Sequence, residues 1–144
     1  MRAKINVRIE SGDEGGEPRV QEMHNLTVDD GLAYVLEHGA TAFDTVGYGA
    51  GTTSPAHDDT ALEDEQFSEE MTIEPAVDSG EGYAMVTYYH YLGSAAGALG
   101  SITEAGLFVG ATLIARVVFD SITKEATTYI KVRWEVVLWE DEVI

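Results

Sequence analysis

Cysteine is absent from this chain of 144 residues. Its absence excludes disulfide bonds, zinc–thiolate sites and cysteine nucleophiles, and it leaves the redox compartment undetermined. A long apolar run is also missing, because the best stretch, residues 105–119, is interrupted by Thr112 and Arg116. A membrane-spanning helix needs roughly 18 apolar residues, so we expect none. The N-terminus lacks the hydrophobic core of a signal peptide, which favours a protein that stays in the cytoplasm or in a particle assembled there.

Basic residues are scarce, with 8 Lys and Arg against 26 Asp and Glu, so the formal net charge is -18. Phosphate backbones and anionic lipids are bound through Lys and Arg, so we expect no nucleic acid and no membrane among the partners. An apolar fraction of 44% is that of a globular chain. The charge is therefore carried by a folded body and does not predict disorder.

The acidity itself needs a physical explanation, because self-repulsion on this scale destabilises a compact protein in dilute buffer. At a salt concentration of 1 M the Debye length falls to about 3 Å, and that repulsion is screened. Many acids with only three lysines, Lys4, Lys124 and Lys131, resemble the composition of proteins from high-salt cytoplasm. We predict a halophilic origin, with an acidic mesophilic protein as the alternative.

The fold prediction rests on alternating apolar and polar residues. The length favours one domain over residues 1–144. Strands are predicted at 5–9, 20–27, 43–48, 67–77, 83–92, 101–109, 112–119 and 127–139, with loops between them and one helical turn within 58–66. A single short helix is predicted at about 29–38, where the apolar period changes and Gly39 follows. The chain is therefore expected to be mainly β, an antiparallel β-sandwich of about six to eight strands with one short helix.

Charge is unevenly distributed along the chain. Residues 1–81 contain 19 of the 26 acids, and Glu104 is the only acid between residues 82 and 119. Such a charge-poor stretch is predicted to lie in the core or in contacts with other chains.

No pattern of residues predicts catalysis. The glycines of residues 47–51 lack the Lys-Ser/Thr of a phosphate loop, so we interpret them as a turn whose glycines allow positive φ. The run His57-Asp58-Asp59 lacks the spacing of a metal site, and carboxylate pairs are expected by chance among 26 acids. We therefore predict no catalytic residue, no cofactor and no metal ligand.

An aromatic strand is the best candidate for a contact surface. Tyr88, Tyr89 and Tyr91 lie in the predicted strand 83–92, and Trp139 ends the last strand on its outer side. Tyrosine is common at protein interfaces, so we interpret these four residues as a surface that contacts other subunits. Carbohydrate stacking is the alternative interpretation.

Three segments together resemble small virion structural proteins of tailed viruses. The first is the glycine loop with Gly47, Gly49, Gly51 and Pro55, followed by Asp59, Thr60, Leu62 and Glu65. The second is the Ile-Thr-Glu-x-Gly-Leu-Phe run that contains Glu104, Gly106 and Phe108 and is similar to a turn also found in tail-fibre proteins. The third joins a strand with Arg116, a turn with Lys124 and a strand around Trp134. The segments cover roughly residues 30–139, and residues 1–27 lie outside the resemblance.

The resemblance implies a non-enzymatic structural component of the particle of a tailed virus, here of a halophilic archaeon. It would act in the tail or baseplate, through contacts with copies of itself and other virion proteins, and would be located in the virion after assembly in the host cytoplasm. Two alternatives stay open. One is a capsid turret or decoration protein, and the other is a carbohydrate- or receptor-binding module whose partner is a host-surface glycan.

Glu104 also carries a structural hypothesis. If residues 109–112 turn between two antiparallel strands, Glu104 comes opposite or next to Arg116. It shares strand parity with Ile102 and Phe108, where an unpaired carboxylate is costly. We predict a partly buried Glu104 whose partner is Arg116 or Lys124.

Overall fold

The computed structural model describes residues 2–13, 15–27, 31, 34, 38 and 43–139. Nine strands lie in this part of the chain: β1 (Arg2–Asp13), β2 (Arg19–Thr27), β3 (Thr45–Gly49), β4 (Glu65–Glu70), β5 (Ala76–Gly80), β6 (Tyr83–Leu92), β7 (Gly100–Val109), β8 (Thr112–Lys124) and β9 (Thr128–Trp139). A 3-10 turn covers Ser94–Ala96. Most of the predicted helix at 29–38 lies outside the described residues, although Gly31, Tyr34 and His38 are helical.

The strands form an antiparallel β-sandwich, which confirms the predicted fold class. Their order is β4-β3-β7-β8-β2-β1-β9-β6-β5. We call β5, β6, β9, β1 and β2 the front sheet, and β4, β3, β7 and β8 the back sheet. Strand β2 connects the two, because most of it pairs with β1 while Leu26 and Thr27 pair with β8.

The front sheet has one dry face and one wet face, as the period of two predicts. In β9, Ile130, Val132, Trp134 and Val136 are buried, and the residues between them point outward. Ile5, Val7 and Ile9 of β1 are buried in the same way. These residues pack against the inner face of the back sheet in one apolar core.

The back sheet is buried on both faces at β7, where residues 102–108 are all buried. Its inner face includes Ala105 and Leu107, which belong to the main core. Its outer face includes Glu104, Gly106 and Phe108, which are covered by residues 50–64. The charge-poor stretch of the sequence is thus largely buried, because β7 and most of β8 lie between the core and this covering segment.

Two predicted elements near the middle of the chain are wrong. The predicted strand 67–77 is two strands, β4 and β5, which lie at opposite ends of the strand order. Residues 71–75 cross between the sheets, after a last bond in the β3–β4 register in which the backbone N–H of Met71 donates to the carbonyl of Asp44. The helical turn predicted within 58–66 is absent, because the N–H groups of Glu63 and Asp64 donate to the carboxylate of Glu104 and not to helical carbonyls.

Two strands are longer than predicted. Strand β1 continues to Asp13, because its pairing with β9 extends through Thr128, and β8 continues to Lys124. None of the helical residues that the structure describes belongs to a segment long and apolar enough to cross a membrane.

Candidate functional site: a clamped loop and an exposed tyrosine–cation face

Residues 50–64, which we call the cover loop, are held on the back sheet by one buried carboxylate. Glu104 of β7 has no exposed surface. Its side-chain oxygens accept hydrogen bonds from the backbone N–H of Gly51 at 2.7 Å, of Glu63 at 2.9 Å and of Asp64 at 2.8 Å. A single carboxylate therefore binds both ends of the cover loop to the centre of the sheet.

Arg116 of β8 supplies the positive charge at this site. Its Nε donates to Glu104 Oε1 at 2.9 Å, and its Nη1 donates to Asp59 Oδ2 of the cover loop at 3.2 Å. The strand register places Gly106 opposite Arg116 and Val118 opposite Glu104, so the two side chains are diagonal neighbours on one face. The predicted contact between Glu104 and Arg116 is confirmed, and Glu104 is fully buried where partial burial was expected.

The ionisation of Glu104 follows from these contacts. Burial alone raises the pKa of a carboxyl group, but the ion pair with Arg116 and the backbone N–H groups outweigh that effect and lower the pKa of Glu104 below its usual value. Glu104 is therefore a carboxylate at neutral pH in the folded protein. Each of its two oxygen atoms accepts two hydrogen bonds, and all four come from groups of the protein itself.

The motif glycines let the cover loop approach the back sheet closely. This finding corrects the expectation that they adopt positive φ. None of Gly47, Gly49, Gly51 and Gly106 is among the described glycines with positive φ. A Cβ atom added to Gly49 would lie 2.6 Å from Glu104 Oε2, and one added to Gly106 would lie 2.8 Å from the ring of Phe108. Larger residues would therefore push the cover loop away from the sheet.

Other cover-loop contacts complete the clamp. Glu63 Oε1 accepts from the N–H groups of Thr52 at 2.8 Å and Thr53 at 3.1 Å. The side-chain hydrogen bond of Thr53, together with these backbone bonds, lowers the pKa of Glu63. The hydroxyl of Thr103 donates to the carbonyl of Gly51 at 2.7 Å. Under the loop, Leu62 packs with Phe108 and Leu113 in a small apolar cluster, and Pro55 is half-buried.

Lys124 and Trp134 do not belong to this clamp. Lys124 is buried at the end of β8, and its Nζ donates to the carbonyls of Gly97 at 2.8 Å and Glu125 at 2.7 Å, so it is not the partner of Glu104. Burial lowers the pKa of the Lys124 ammonium. Trp134 is fully buried in the main core. The ten motif residues thus lie at three separate places in the fold: the cover-loop clamp, the end of β8 and the main core.

The second feature is an exposed surface of the front sheet, formed by Lys4, Arg8, Tyr89, Tyr91, Lys131 and Arg133, which we call the tyrosine–cation face. Two rows run across the strands: Arg8 is opposite Arg133, which is opposite Tyr89, and Glu10 is opposite Lys131, which is opposite Tyr91. A groove of about 350 Å³ lies among these residues. Tyr89 and Tyr91 are 42% and 45% exposed, so the surface is open to a partner.

Tyr88 does not belong to the contact surface, so the prediction for this residue is wrong. It is 1% exposed, packs in the core against Phe43, and accepts a hydrogen bond from the backbone N–H of Phe43. Burial raises its pKa to about 12. The physical reason is that successive strand residues point to opposite faces, so Tyr88 cannot share a surface with Tyr89 and Tyr91. Trp139, half-buried, has the same outward parity in β9 as Lys131 and Arg133.

Aromatic rings and cations contact each other on this face. The Nζ of Lys131 lies 5.9 Å from the centre of the Tyr91 ring and 5.5 Å from that of Tyr129. The two rings are stacked, with 6.0 Å between their centres. Cation–π contacts of this kind orient an exposed lysine at small cost.

A hydrogen-bonded row of Tyr48, His90 and Glu69 lies between the sheets. The Tyr48 hydroxyl is 2.6 Å from His90 Nδ1, and His90 Nε2 is 2.9 Å from Glu69 Oε1. Burial lowers the pKa of His90, although the contact with Glu69 opposes part of this effect. Burial, together with the nearby charge of Glu69, raises the pKa of Tyr48 well above its usual value. A neutral His90 that accepts from Tyr48 and donates to Glu69 satisfies all three groups.

This row resembles the order of nucleophile, base and acid, but its geometry does not suit catalysis. Tyr48 has no exposed surface, so no substrate reaches its hydroxyl. The sequence pattern indicates no partner for His90. However, His90 alternates in step with the inward-facing Tyr88 and Leu92, and this alternation predicts that His90 lies inside the sandwich.

Metal binding finds no support in the part of the chain that the structure describes. There, no three His, Asp or Glu side chains converge in a way that could hold an ion. Asp59 of the run His57-Asp58-Asp59 is bound to Arg116.

Comparison with known proteins adds no relative. No protein-family model matches the chain, and no curated protein or solved structure is significantly similar to it. Function is therefore inferred from the residues and their geometry.

Replacing Glu104 by Gln is expected to destabilise the fold by about 3–5 kcal/mol, because Arg116 is then buried without its counter-charge. The amides of Gly51, Glu63 and Asp64 should exchange with solvent faster, because their acceptor is weakened. Denaturant unfolding and amide hydrogen exchange measure the two effects. Glu70→Gln, which changes an exposed carboxylate of β4, is the matched control. Equal exchange at the three amides in wild type and Glu104→Gln would contradict the clamp.

The pH dependence of stability has two expected windows. His90 has a lowered pKa in the folded protein, so the unfolded chain binds its proton more tightly, and stability falls as the pH drops below the ordinary value of 6.5. Glu104 also has a lowered pKa, and its contribution is lost as the pH falls below 4.5. Urea unfolding of wild type and His90→Gln between about pH 7 and pH 5 isolates the first window. The variant should lose that slope, and an identical slope in both proteins would show that His90 does not cause it.

Proposed function

We propose that this chain is a non-enzymatic structural protein of a tailed-virus particle, and that it assembles through protein–protein contacts as a tail or baseplate building block. The observation that carries the proposal is the role of the motif that resembles virion proteins. Its most distinctive residues, among them Gly49, Gly51 and Glu104, hold a loop on a sheet, and the buried carboxylate is fully used in doing so. A motif that builds a rigid platform suits an assembly unit better than an enzyme.

The tyrosine–cation face supports the same proposal. Tyr and Arg are enriched at the centres of protein interfaces. Here Tyr89, Tyr91, Arg8 and Arg133 share one open surface of a chain that is otherwise strongly acidic. Copies of the chain and other virion proteins are the proposed partners, within a virion assembled in the host cytoplasm.

A capsid turret or decoration protein is the alternative to a tail or baseplate position, because such a protein would use the same platform.

A carbohydrate- or receptor-binding module is the second candidate function. The observation that favours it is the groove beside the stacked rings of Tyr91 and Tyr129, since sugars stack on exposed aromatic rings.

Location in the particle tests the proposal directly. Purified particles labelled with gold-conjugated antibody against this chain should show label at the tail or baseplate in electron micrographs. Label at capsid vertices would instead support the turret or decoration role. Pre-immune antibody is the control, and particles that contain none of the chain would overturn the proposal.

The proposed halophilic origin predicts stability that rises with salt. The free energy of unfolding should be larger in about 2 M than in about 0.02 M KCl, because screening relieves repulsion among the acids. A variant with Glu65, Glu70, Glu74 and Glu81 changed to Gln and Asp78 changed to Asn, all exposed positions, should show a smaller salt dependence. Equal stability at both concentrations would remove the halophilic interpretation.

A further inference from the structure

We propose that the tyrosine–cation face of one copy binds the acidic edge of a second copy in a head-to-tail contact. The acidic edge is strand β4 with the two residues before it, and its acids are Glu63, Asp64, Glu65, Glu69 and Glu70. This inference rests on the proposed assembly function and adds the partner and both surfaces. Four observations support it.

The first observation is where the cations are. No Lys or Arg occurs between Arg19 and Arg116. Of the 8 cations in the chain, Arg116 and Lys124 are buried, and Arg19 binds Asp120 at the end of the front sheet. Strands β1 and β9 are neighbours, so Lys4, Arg8, Lys131 and Arg133 come together on one surface. This face therefore holds half of all the cations.

The second observation is that this surface is nearly neutral in a strongly acidic chain. Among the described side chains, the outward faces of β2, β1, β9 and β6 carry those four cations and the carboxylates of Glu10, Glu22 and Glu135, which sum to +1 in a chain of -18. Arg8 lies directly opposite Arg133, and like charges in that position are unfavourable. An acidic partner would relieve this repulsion.

The existing ion pairs of the face are weak enough to exchange. Arg8 lies 3.4 Å from Glu22, Lys131 lies 3.6 Å from Glu10 and Arg133 lies 3.2 Å from Glu135, and each pair has a member whose side chain is more than a third exposed. Exposed pairs contribute about 0–1 kcal/mol, so new carboxylates can replace them at little cost. The exposed rings of Tyr89 and Tyr91 would add apolar area that salt does not screen.

The third observation is the complementary surface. Residues 63–70 contain five acids and no cation. Strand β4 is exposed at every position except the half-buried Phe67, and it stands at one end of the strand order. Glu65 and Glu70 are exposed carboxylates of this edge.

The fourth observation is that the two surfaces are different parts of one copy. The tyrosine–cation face is the outer side of the front sheet, whereas the acidic edge belongs to the back sheet. A contact between unlike surfaces of identical chains is heterologous, and it produces rings or open rows. Such assemblies are what a repeated building block of a particle forms.

Sedimentation and mass photometry of the purified full chain test the contact with two variants. Arg8→Gln with Lys131→Gln removes charge from the face, and Glu65→Gln with Glu70→Gln removes charge from the edge. Each variant alone should self-associate at least about tenfold more weakly than wild type. Arg19→Gln, which changes an exposed cation outside the face, should stay within about twofold. Unchanged unfolding midpoints confirm that the variants fold.

Mixing the two variants is the decisive measurement. The edge variant keeps an intact face and the face variant keeps an intact edge, so the mixture should form 1:1 pairs with near wild-type affinity that do not extend further. Wild-type association that both variants retain would overturn the proposed surfaces while leaving an assembly function in place. A wild-type chain that stays monomeric would overturn the contact, and the location of the chain in particles would still test its structural role separately. Binding of an acidic oligosaccharide to the face, without self-association, would favour the glycan-binding candidate instead.

Discussion

The ionised carboxylate of Glu104, buried at the centre of the back sheet, determines how the cover loop packs on that sheet. Burying an unpaired carboxylate is costly, so the fold must supply partners around it. Arg116 and the N–H groups of Gly51, Glu63 and Asp64 do so. Because three of those partners come from the cover loop, satisfying one charge also places the loop. The glycines at 49 and 106 follow from the same constraint, since the loop must approach the sheet closely.

Because of this clamp, the outer side of the back sheet is covered whereas the outer side of the front sheet is open. The back sheet is closed on its outer side by the cover loop, and its edge strand β4 is acidic. The front sheet keeps an open outer side, where β1 and β9 place their cations beside Tyr89 and Tyr91. The excess of acid over base is therefore a difference between surfaces as well as a property of the whole chain. Surfaces of opposite character on one rigid body suit repeated assembly.

Part of this arrangement is predictable because strands have a period of two. The alternation of Ile5, Val7 and Ile9, and that of Ile130 to Val136, predicts which side chains are buried. The hairpin predicts that Glu104 comes close to Arg116 along the strands, but a β-bulge at Leu107 and Phe108 is what places both side chains on the same face. Where the period is broken, prediction fails. The segment 67–77 has the pattern of one strand, because nothing local reveals that the chain crosses to the other sheet at 71–75. The prediction for Tyr88 is wrong because tyrosines that are close in sequence alternate between the two faces of a strand.

Local periodicity in the sequence is enough to predict the class of fold and the face on which most strand residues lie. Which distant residues meet depends on the tertiary structure. Tyr48 and Glu69 bind His90, the cover loop binds Glu104 from 40 or more positions away, and the cations of the two chain ends share one surface. These contacts depend on the order of strands in the sheets and on close packing between them. Strand order is set by the global balance of burial and pairing, and no local pattern records it.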